Sequence, residues 1–173
     1  IKNVYKTTVG HVANLLYRFK ESRVNLLTES VGGGFERALY STYLSYFKPD
    51  DFHYNLKSFV DERGVFCEFL KTKDSGQISF FTANAGVTRG QHYHHTKNEK
   101  FLILKGRARF KFKNILNNDQ HEIESDDTKM QVIETIPGWA HDITNIGSET
   151  LIVMLWANEV FDPLLPDTIA EDL

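Results

Sequence analysis

Two periodicities divide the chain. Between residues 8 and 22, Val9, Val12, Leu15, Leu16 and Phe19 recur at helical spacing, which predicts an amphipathic helix with Thr8 as its cap. The run V-G-G-G-F at 31–35 breaks the pattern. It lacks the G-x-G-x-x-G spacing of a dinucleotide fingerprint and no strand precedes it. A second helix is expected over 36–47, with Leu39, Tyr43 and Tyr46 on one face, stopped by Pro49 and the acids Asp50 and Asp51. From Phe52 onward the period shortens. Runs at 52–59, 65–71, 77–82, 101–104, 108–113, 131–135 and 151–156 read as strands, separated by turn material such as Asp61-Glu62-Arg63-Gly64 and Asn117-Asn118-Asp119. That texture predicts a β barrel or jelly roll preceded by a short helical segment. Residues 158–173, with Pro163 and Pro166, are expected to strap across the surface.

Composition narrows the class. With 173 residues, 41% of them hydrophobic, the chain suffices for one core plus an appendage. A net charge of -3 lacks the basic excess of a nucleic-acid binder. No apolar run approaches the ~20 residues of a membrane span, and no signal-peptide pattern opens the chain. Cys67 is the sole cysteine, so no internal disulfide forms. This suits a reducing, cytoplasmic setting. Within V-F-C-E-F, Cys67 reads as a core filler rather than a nucleophile. Ile1 in place of Met points to a piece of a longer chain.

The candidate chemistry concentrates between Gly86 and Gly106, where His92, His94 and Glu99 fall as H-x-H-x4-E. Residues two apart on a strand share a face, so His92 and His94 can aim at one point and a following strand can bring Glu99 to it. Neutral imidazoles with one carboxylate suit zinc, iron or manganese. His141, in I-P-G-W-A-H-D-I-T-N, is the expected further ligand. The firmest set is His94, Glu99 and His141, with His92 as the fourth. The plainer alternative is that these are ordinary strand and turn histidines.

The spacing G-x5-H-x-H-x4-E-x6-G, followed by G-x2-H-x3-N at Gly138, His141 and Asn145, resembles the two motifs of the cupin superfamily. The second departs in one place: Pro137 directly precedes Gly138, where the family has Pro two residues earlier. Two further stretches resemble the nucleotide-diphosphate 4-keto-sugar epimerases of the rhamnose pathway. These are D-E-R-G-V-F-C-E-F (61–69) and R-G-Q-H-Y-H (89–94). That resemblance implies that Arg63, Glu68 and Arg89 contact a nucleotide diphosphate and that His92 is the catalytic base. His94 replaces the Gln of those metal-free enzymes, which turns the place into a metal site.

H-H-T-K-N-E-K-F (94–101), L-Y-S-T-Y-L-S-Y (39–46) and W-A-N-E-V-F-D-P (156–163) resemble the C-terminal half of the CapF family of bacterial capsular-polysaccharide enzymes. The resemblance implies a zinc cupin over 51–173 that epimerises C3 of a UDP-linked N-acetylated 6-deoxy-4-keto-hexose. It implies that residues 1–50 are the helical tail of a preceding short-chain reductase domain, the part that would use NADPH. It also implies a homodimer built through the cupin.

These readings collide at His92, which barrel geometry makes a ligand and the epimerase resemblance makes a base. If it binds metal, a metal-bound water, Tyr93 or Glu134 must carry the C3 proton. Lys97 and Lys100 are candidates for the phosphates, with plain solvation as the alternative. Trp139 either lines the pocket or packs in the core. The alternating cations Lys105 to Lys113 form either a solvated outer face or an attractor at the barrel mouth. Two other functions stay open: an iron cupin oxygenase, and a non-catalytic nucleotide-sugar-binding or dimerisation module.

Overall fold

The computed structural model describes residues 4–173. Helix α1 spans Val9–Asn25, and Thr8 caps it by accepting the His11 amide. Its buried positions are Leu15 and Phe19, while Val9 faces solvent. Strand β1, Leu27–Thr28, follows, then helix α2, Gly34–Ser45. The helices meet through aromatic edges, with the Phe19 ring 4.9 Å from Tyr40 and 5.8 Å from Tyr43. Tyr46, expected on the inner face of α2, lies beyond its end and is exposed.

The barrel strands are β2 (Ser58–Asp61), β3 (Gly64–Thr72), β4 (Gln77–Ala83), β5 (Thr88–Tyr93), β6 (Glu99–Lys105), β7 (Arg107–Asn114), β8 (Gln120–Asp126), β9 (Val132–Thr135), β10 (Trp139–Asn145), β11 (Leu151–Ala157) and β12 (Ile169–Ala170). One sheet runs β1-β3-β4-β11-β6-β9, with β2 also on β3; the other runs β12-β5-β10-β7-β8. This is the mainly β cupin barrel that the motifs imply. Phe81, Phe101, Ile103, Phe110, Ile143, Leu151 and Val153 fill the space between the sheets. Strand alternation governs burial: every second residue of β4 is buried, and β7 turns Ala108, Phe110 and Phe112 inward.

The cations alternating with them on β7 lie on the outer face; two pair with β8, and Lys113 pairs with Glu171 of the C-terminal segment at 2.6 Å. Arg107 meets Glu124 at 2.5 Å and Lys111 meets Glu122 at 3.8 Å. They form a charged outer surface and not the barrel mouth. The run 52–59 becomes strand only from Ser58. Its earlier aromatic, Tyr54, packs with Phe47 around the Arg23 guanidinium, and Arg23 also donates to the His53 carbonyl. A cation-π contact replaces the sheet neighbour there. The helical segment is tied to the barrel: β1 runs parallel to β3, and the Lys71 amide donates to the Leu26 carbonyl at 2.8 Å. Among the described residues no helix is long and apolar enough to cross a membrane.

Candidate metal centre

The two sheets contribute to one cluster from opposite sides. His92, on β5, is in register with His141 on β10, and the ladder shifts immediately after His141. Gly90 makes this approach possible. Its φ is 102°, and a Cβ there would sit 2.7 Å from the His141 carbonyl oxygen. His94 lies just past the end of β5. Glu99 opens β6 in the other sheet, where Thr135 Oγ1 accepts its amide at 3.1 Å. The ligating atoms of His92, His94, Glu99 and His141 all lie within 4.8 Å of one another, and the last three residues are buried.

Hydrogen bonds orient the rings. His94 Nδ1 donates to the Asp167 backbone carbonyl, and His141 Nδ1 is 3.4 Å from the Trp139 carbonyl. With Nδ1–H so committed, Nε2 of each faces inward, and both stand 3.3 Å from Glu99 Oε2. Two Nε2 atoms and a carboxylate converging in this way form a donor set that a metal ion can bridge. Burial pushes the Glu99 carboxyl up, but hydrogen bonds from His141 and His94 outweigh it and hold the group well below the usual carboxylate range. Burial, reinforced by His141 and His94, pushes His92 down to about 4. A neutral imidazole and an anionic carboxylate are the donor forms that a divalent metal takes. The cluster can hold a metal ion.

It opens onto two adjoining cavities of about 230 and 500 Å3 that share Arg63, Arg89, His92, Glu99 and Leu155. Phe81, Phe101 and Phe110 line the smaller one; Phe59, Phe66, Lys97 and Phe161 line the larger.

The family model for the polysaccharide biosynthesis C-terminal domain matches residues 59–169. The chain belongs to this family. A UDP-2-acetamido-2,6-beta-L-arabino-hexul-4-ose reductase of Pseudomonas aeruginosa is 57% identical over 166 residues, which cover 96% of this chain and 45% of the relative. The crystal structure of the capsular polysaccharide assembling protein CapF from Staphylococcus aureus superposes with a TM-score of 0.96 at 41% identity, over all of this chain and 47% of that one. The chain thus spans about half the length of both, and its resemblance to the C-terminal half of CapF holds along its whole length. Lactobacillus farciminis oxalate decarboxylase shares the fold alone, with a TM-score of 0.53 at 20% identity over 66% of this chain and 33% of that one.

Within this polysaccharide biosynthesis C-terminal domain, the sequence-nominated residues separate into two groups. Arg63, Glu68, Arg89 and Lys97 all line the larger cavity. Arg63 grips Asp61 at 2.5 Å, and that hydrogen bond holds the Asp61 carboxyl down at about 2. The Arg89 guanidinium lies over the Phe81 ring, 3.8 Å from Asp61, and its Nε donates to the Thr82 carbonyl. Glu68 pairs with Lys71 at 2.8 Å. Lys97 is not a solvated lysine: it is 7% exposed, and its Nζ donates to Thr168 Oγ1 at 3.1 Å.

The others face elsewhere. Lys100 follows Glu99 on β6, so alternation turns it outward, where it pairs with Glu134 directly across the ladder at 2.5 Å. Neither reaches the cavities. Tyr93, next to His92, faces away from it and packs against His95, with ring centres 5.5 Å apart. Trp139 packs against the core and lines neither cavity. Glu134 and Tyr93 are therefore not placed to move a proton in this site.

One residue of the site has no local signal in the sequence. Asp167 accepts the amides of His95, Thr96 and Lys97 through its carboxylate, beside its backbone bond to His94. Burial raises its pKa, but those amide bonds outweigh it and hold the carboxyl well below the ordinary range. Seventy residues of sequence separate it from the turn it holds, so no local spacing marks it.

Proposed function

We propose that this chain epimerises C3 of a UDP-linked N-acetylated 6-deoxy-4-keto-hexose, with a divalent metal, most simply zinc, held by His94, Glu99 and His141, and with His92 as the fourth ligand or the base. The carrying observation is that a cluster of three histidines and one glutamate opens onto a cavity flanked by Arg63, Arg89 and Lys97. The name of the Pseudomonas relative specifies a UDP-linked hexul-4-ose, a sugar with its ketone at C4. A ketone at C4 acidifies the proton on C3, so inversion there needs a proton acceptor, a stabiliser for the enolate oxygen, and reprotonation from the other face. A bound divalent metal would supply Lewis-acid stabilisation at that oxygen.

The chain's own groups divide the remaining work. Arg63, Arg89 and Lys97 carry the charge that a diphosphate requires, and the guanidinium forks suit its oxygens. Phe59, Phe66 and Phe161 give the larger cavity apolar walls for the rest of the nucleotide sugar. His92 is neutral at physiological pH and borders both cavities. Its lone pair serves either the metal or the C3 proton.

The test is C3 proton exchange in deuterated water, followed by NMR on the 4-keto sugar nucleotide with and without chelator. Exchange abolished by chelator is the expected result. Absence of exchange in zinc-loaded, sugar-binding protein would overturn the catalytic reading. His92→Asn then assigns the residue: metal retained with exchange lost makes His92 the base, and metal lost makes it a ligand.

A second reading has one observation behind it. The relative is named a reductase, yet this chain carries no dinucleotide fingerprint, so the barrel would be the sugar-nucleotide-binding or dimerising module of a longer enzyme. Sugar binding without exchange is its signature. Under either reading, residues 1–50 end a reductase domain that would use NADPH, the barrels pair as a homodimer, and the protein works in the cytoplasm. Sedimentation of the barrel alone tests the pairing.

A further inference from the structure

Of the four clustered residues, three sit in regular ladders. His92 belongs to β5 and His141 to β10, which pair with each other. Glu99 belongs to β6, flanked by β9 and β11. His94 lies outside any strand, in the irregular stretch between β5 and β6, yet it is among the most deeply buried side chains of the protein, at 2% exposure. A metal ligand must be held to within a few tenths of an ångström; the His94 carbonyl accepts the Gly138 amide at 2.9 Å, just ahead of β10, but that bond does not fix the ring.

Asp167 fixes the ring. Its Oδ1 accepts the His95 amide at 2.9 Å and lies 3.2 Å from His95 Nδ1. Its Oδ2 accepts the Thr96 amide at 2.7 Å, the Thr96 hydroxyl at 3.0 Å and the Lys97 amide at 2.9 Å. Its carbonyl oxygen takes the Nδ1 proton of His94. The chain beyond it is fixed as well. β12 pairs Ile169 with Tyr93 and Ala170 with His92, and the Glu171 amide donates to the Gln91 carbonyl at 3.0 Å. The Asp167 carbonyl is thus pinned from both sides: by its own side chain on the turn that follows His94, and by the strand that runs back along β5.

We propose that Asp167 is a positioning residue of the metal centre: by clamping the 95–97 turn it aims its own backbone carbonyl at His94 Nδ1, which selects the tautomer and ring angle that leave His94 Nε2 free to bind metal. The proposal rests on the cluster being a metal site. It makes the C-terminal strap part of that site, although no residue of the strap touches the metal position. A carbonyl or carboxylate partner on the far nitrogen of a ligating histidine fixes its ring and raises its basicity, and loss of such a partner typically weakens metal binding by about 10–100-fold.

The experiment uses the whole chain. Wild type, Asp167→Ala and Asp167→Asn are stripped with chelator and titrated with zinc against a chromophoric competitor. Asp167→Ala is expected to lose on the order of 10–100-fold in zinc affinity. Asp167→Asn keeps one acceptor oxygen for the Thr96 and Lys97 amides but turns an NH2 group toward the His95 amide, and it is expected to lose less. Two further readouts separate positioning from mere support of the fold. Long-range 1H–15N spectra of the metal-free protein should show His94 protonated at Nδ1 in wild type and as a tautomer mixture in the variants. The visible absorption of the cobalt-loaded proteins should shift between wild type and variants.

Variants that bind zinc within twofold of wild type, with unchanged tautomer and cobalt spectrum, would overturn the proposal even if they unfold more easily. Should Asp167→Ala fail to fold, Asp167→Asn carries the same comparison. Failure of wild type itself to bind zinc, manganese, iron or cobalt removes the metal reading and the proposal with it. Tight binding by wild type and variants alike removes the proposal only.

Discussion

Lys97 and Lys100 are chemically identical and three residues apart, yet they inhabit different regions. Lys100 stands on the outer face of β6, paired with Glu134 in solvent and 5.9 Å above the Trp156 ring. Lys97 is buried at the edge of the larger cavity, bonded to Thr168, with Glu159 3.9 Å away and Arg63 and Arg89 among its neighbours in the lining. The outer face neutralises its charges in pairs. The inner face sets three cations, Arg63 and Arg89 beside Asp61 and Lys97 near Glu159, around the carboxylate and three imidazoles of the cluster. Water makes the outer arrangement inexpensive and nearly without consequence. Burial of Lys97, His94, Glu99 and His141 makes the inner one costly, so it persists only where the surrounding structure compels it.

The contrast breaks most readily at its centre. Glu99→Gln removes the sole anionic ligand from the inner cluster, and zinc affinity should fall by more than the ~10–100-fold that loss of an outer partner costs. Competition with a chromophoric chelator measures it. Gly90→Ala attacks the backbone that lets β5 approach β10. A Cβ 2.7 Å from the His141 carbonyl, at φ 102°, should destabilise the protein by about 1–3 kcal/mol in urea unfolding. Unchanged stability would mean that the strands have another way to meet.

Lys97→Met should weaken UDP binding by calorimetry about tenfold, the equivalent of one charge-assisted hydrogen bond. Lys100→Met should leave it within about twofold.

The inner histidine gives a pH signature in the metal-free protein. The unfolded chain protonates His92 near its ordinary 6.5, whereas burial holds the folded form neutral down to about 4. Between those values the unfolded state binds more protons, so stability should be level above pH 6.5 on this account and fall as the pH drops toward 4. His92→Asn should flatten that slope; an unchanged slope would assign it to another group. The smallest effect belongs outside: Glu134→Gln should shift the melting midpoint by about a degree or less and leave C3 exchange untouched.

The sequence made the inner cluster legible because its residues follow local rules. Two histidines two apart near a strand end, a glutamate opening the next strand and glycines at the bends are constraints that act within one short stretch, and His141 is marked by a short motif of its own with Gly138 and Asn145. The α1 helix was legible for the same reason, as its Thr8 cap and its Leu15 and Phe19 stripe lie close together along the chain. What escaped depends on distance or on polarity. Glu134 and Tyr93 looked eligible as proton carriers because sequence does not say which way a strand residue points until its register is known. β8 carries one apolar residue on its inner side, Ile123, and so reads as a polar loop. β10 hides behind its own chemistry, since His141 and Asn145 occupy inward positions where an ordinary strand would carry apolar residues. Asn145 is buried there because its side chain donates to the Ala83 and Glu149 carbonyls and accepts the Gly147 amide. Asp167 was invisible for the plainest reason: the chain must fold before it has neighbours.

Cys67 offers an experimental opening of another kind. The protein's sole thiol lies inside β3, paired in register with Ser58 on one side and Phe80 on the other, and only 5% of it meets solvent. A thiol reagent therefore has nothing to modify until that strand opens, and its rate of reaction becomes a clock for β3 opening that needs no engineered probe. A single cysteine introduced on the outer surface, at Lys100 for instance, would label at once and alone. A fluorophore could then watch the barrel from outside while Cys67 keeps time within.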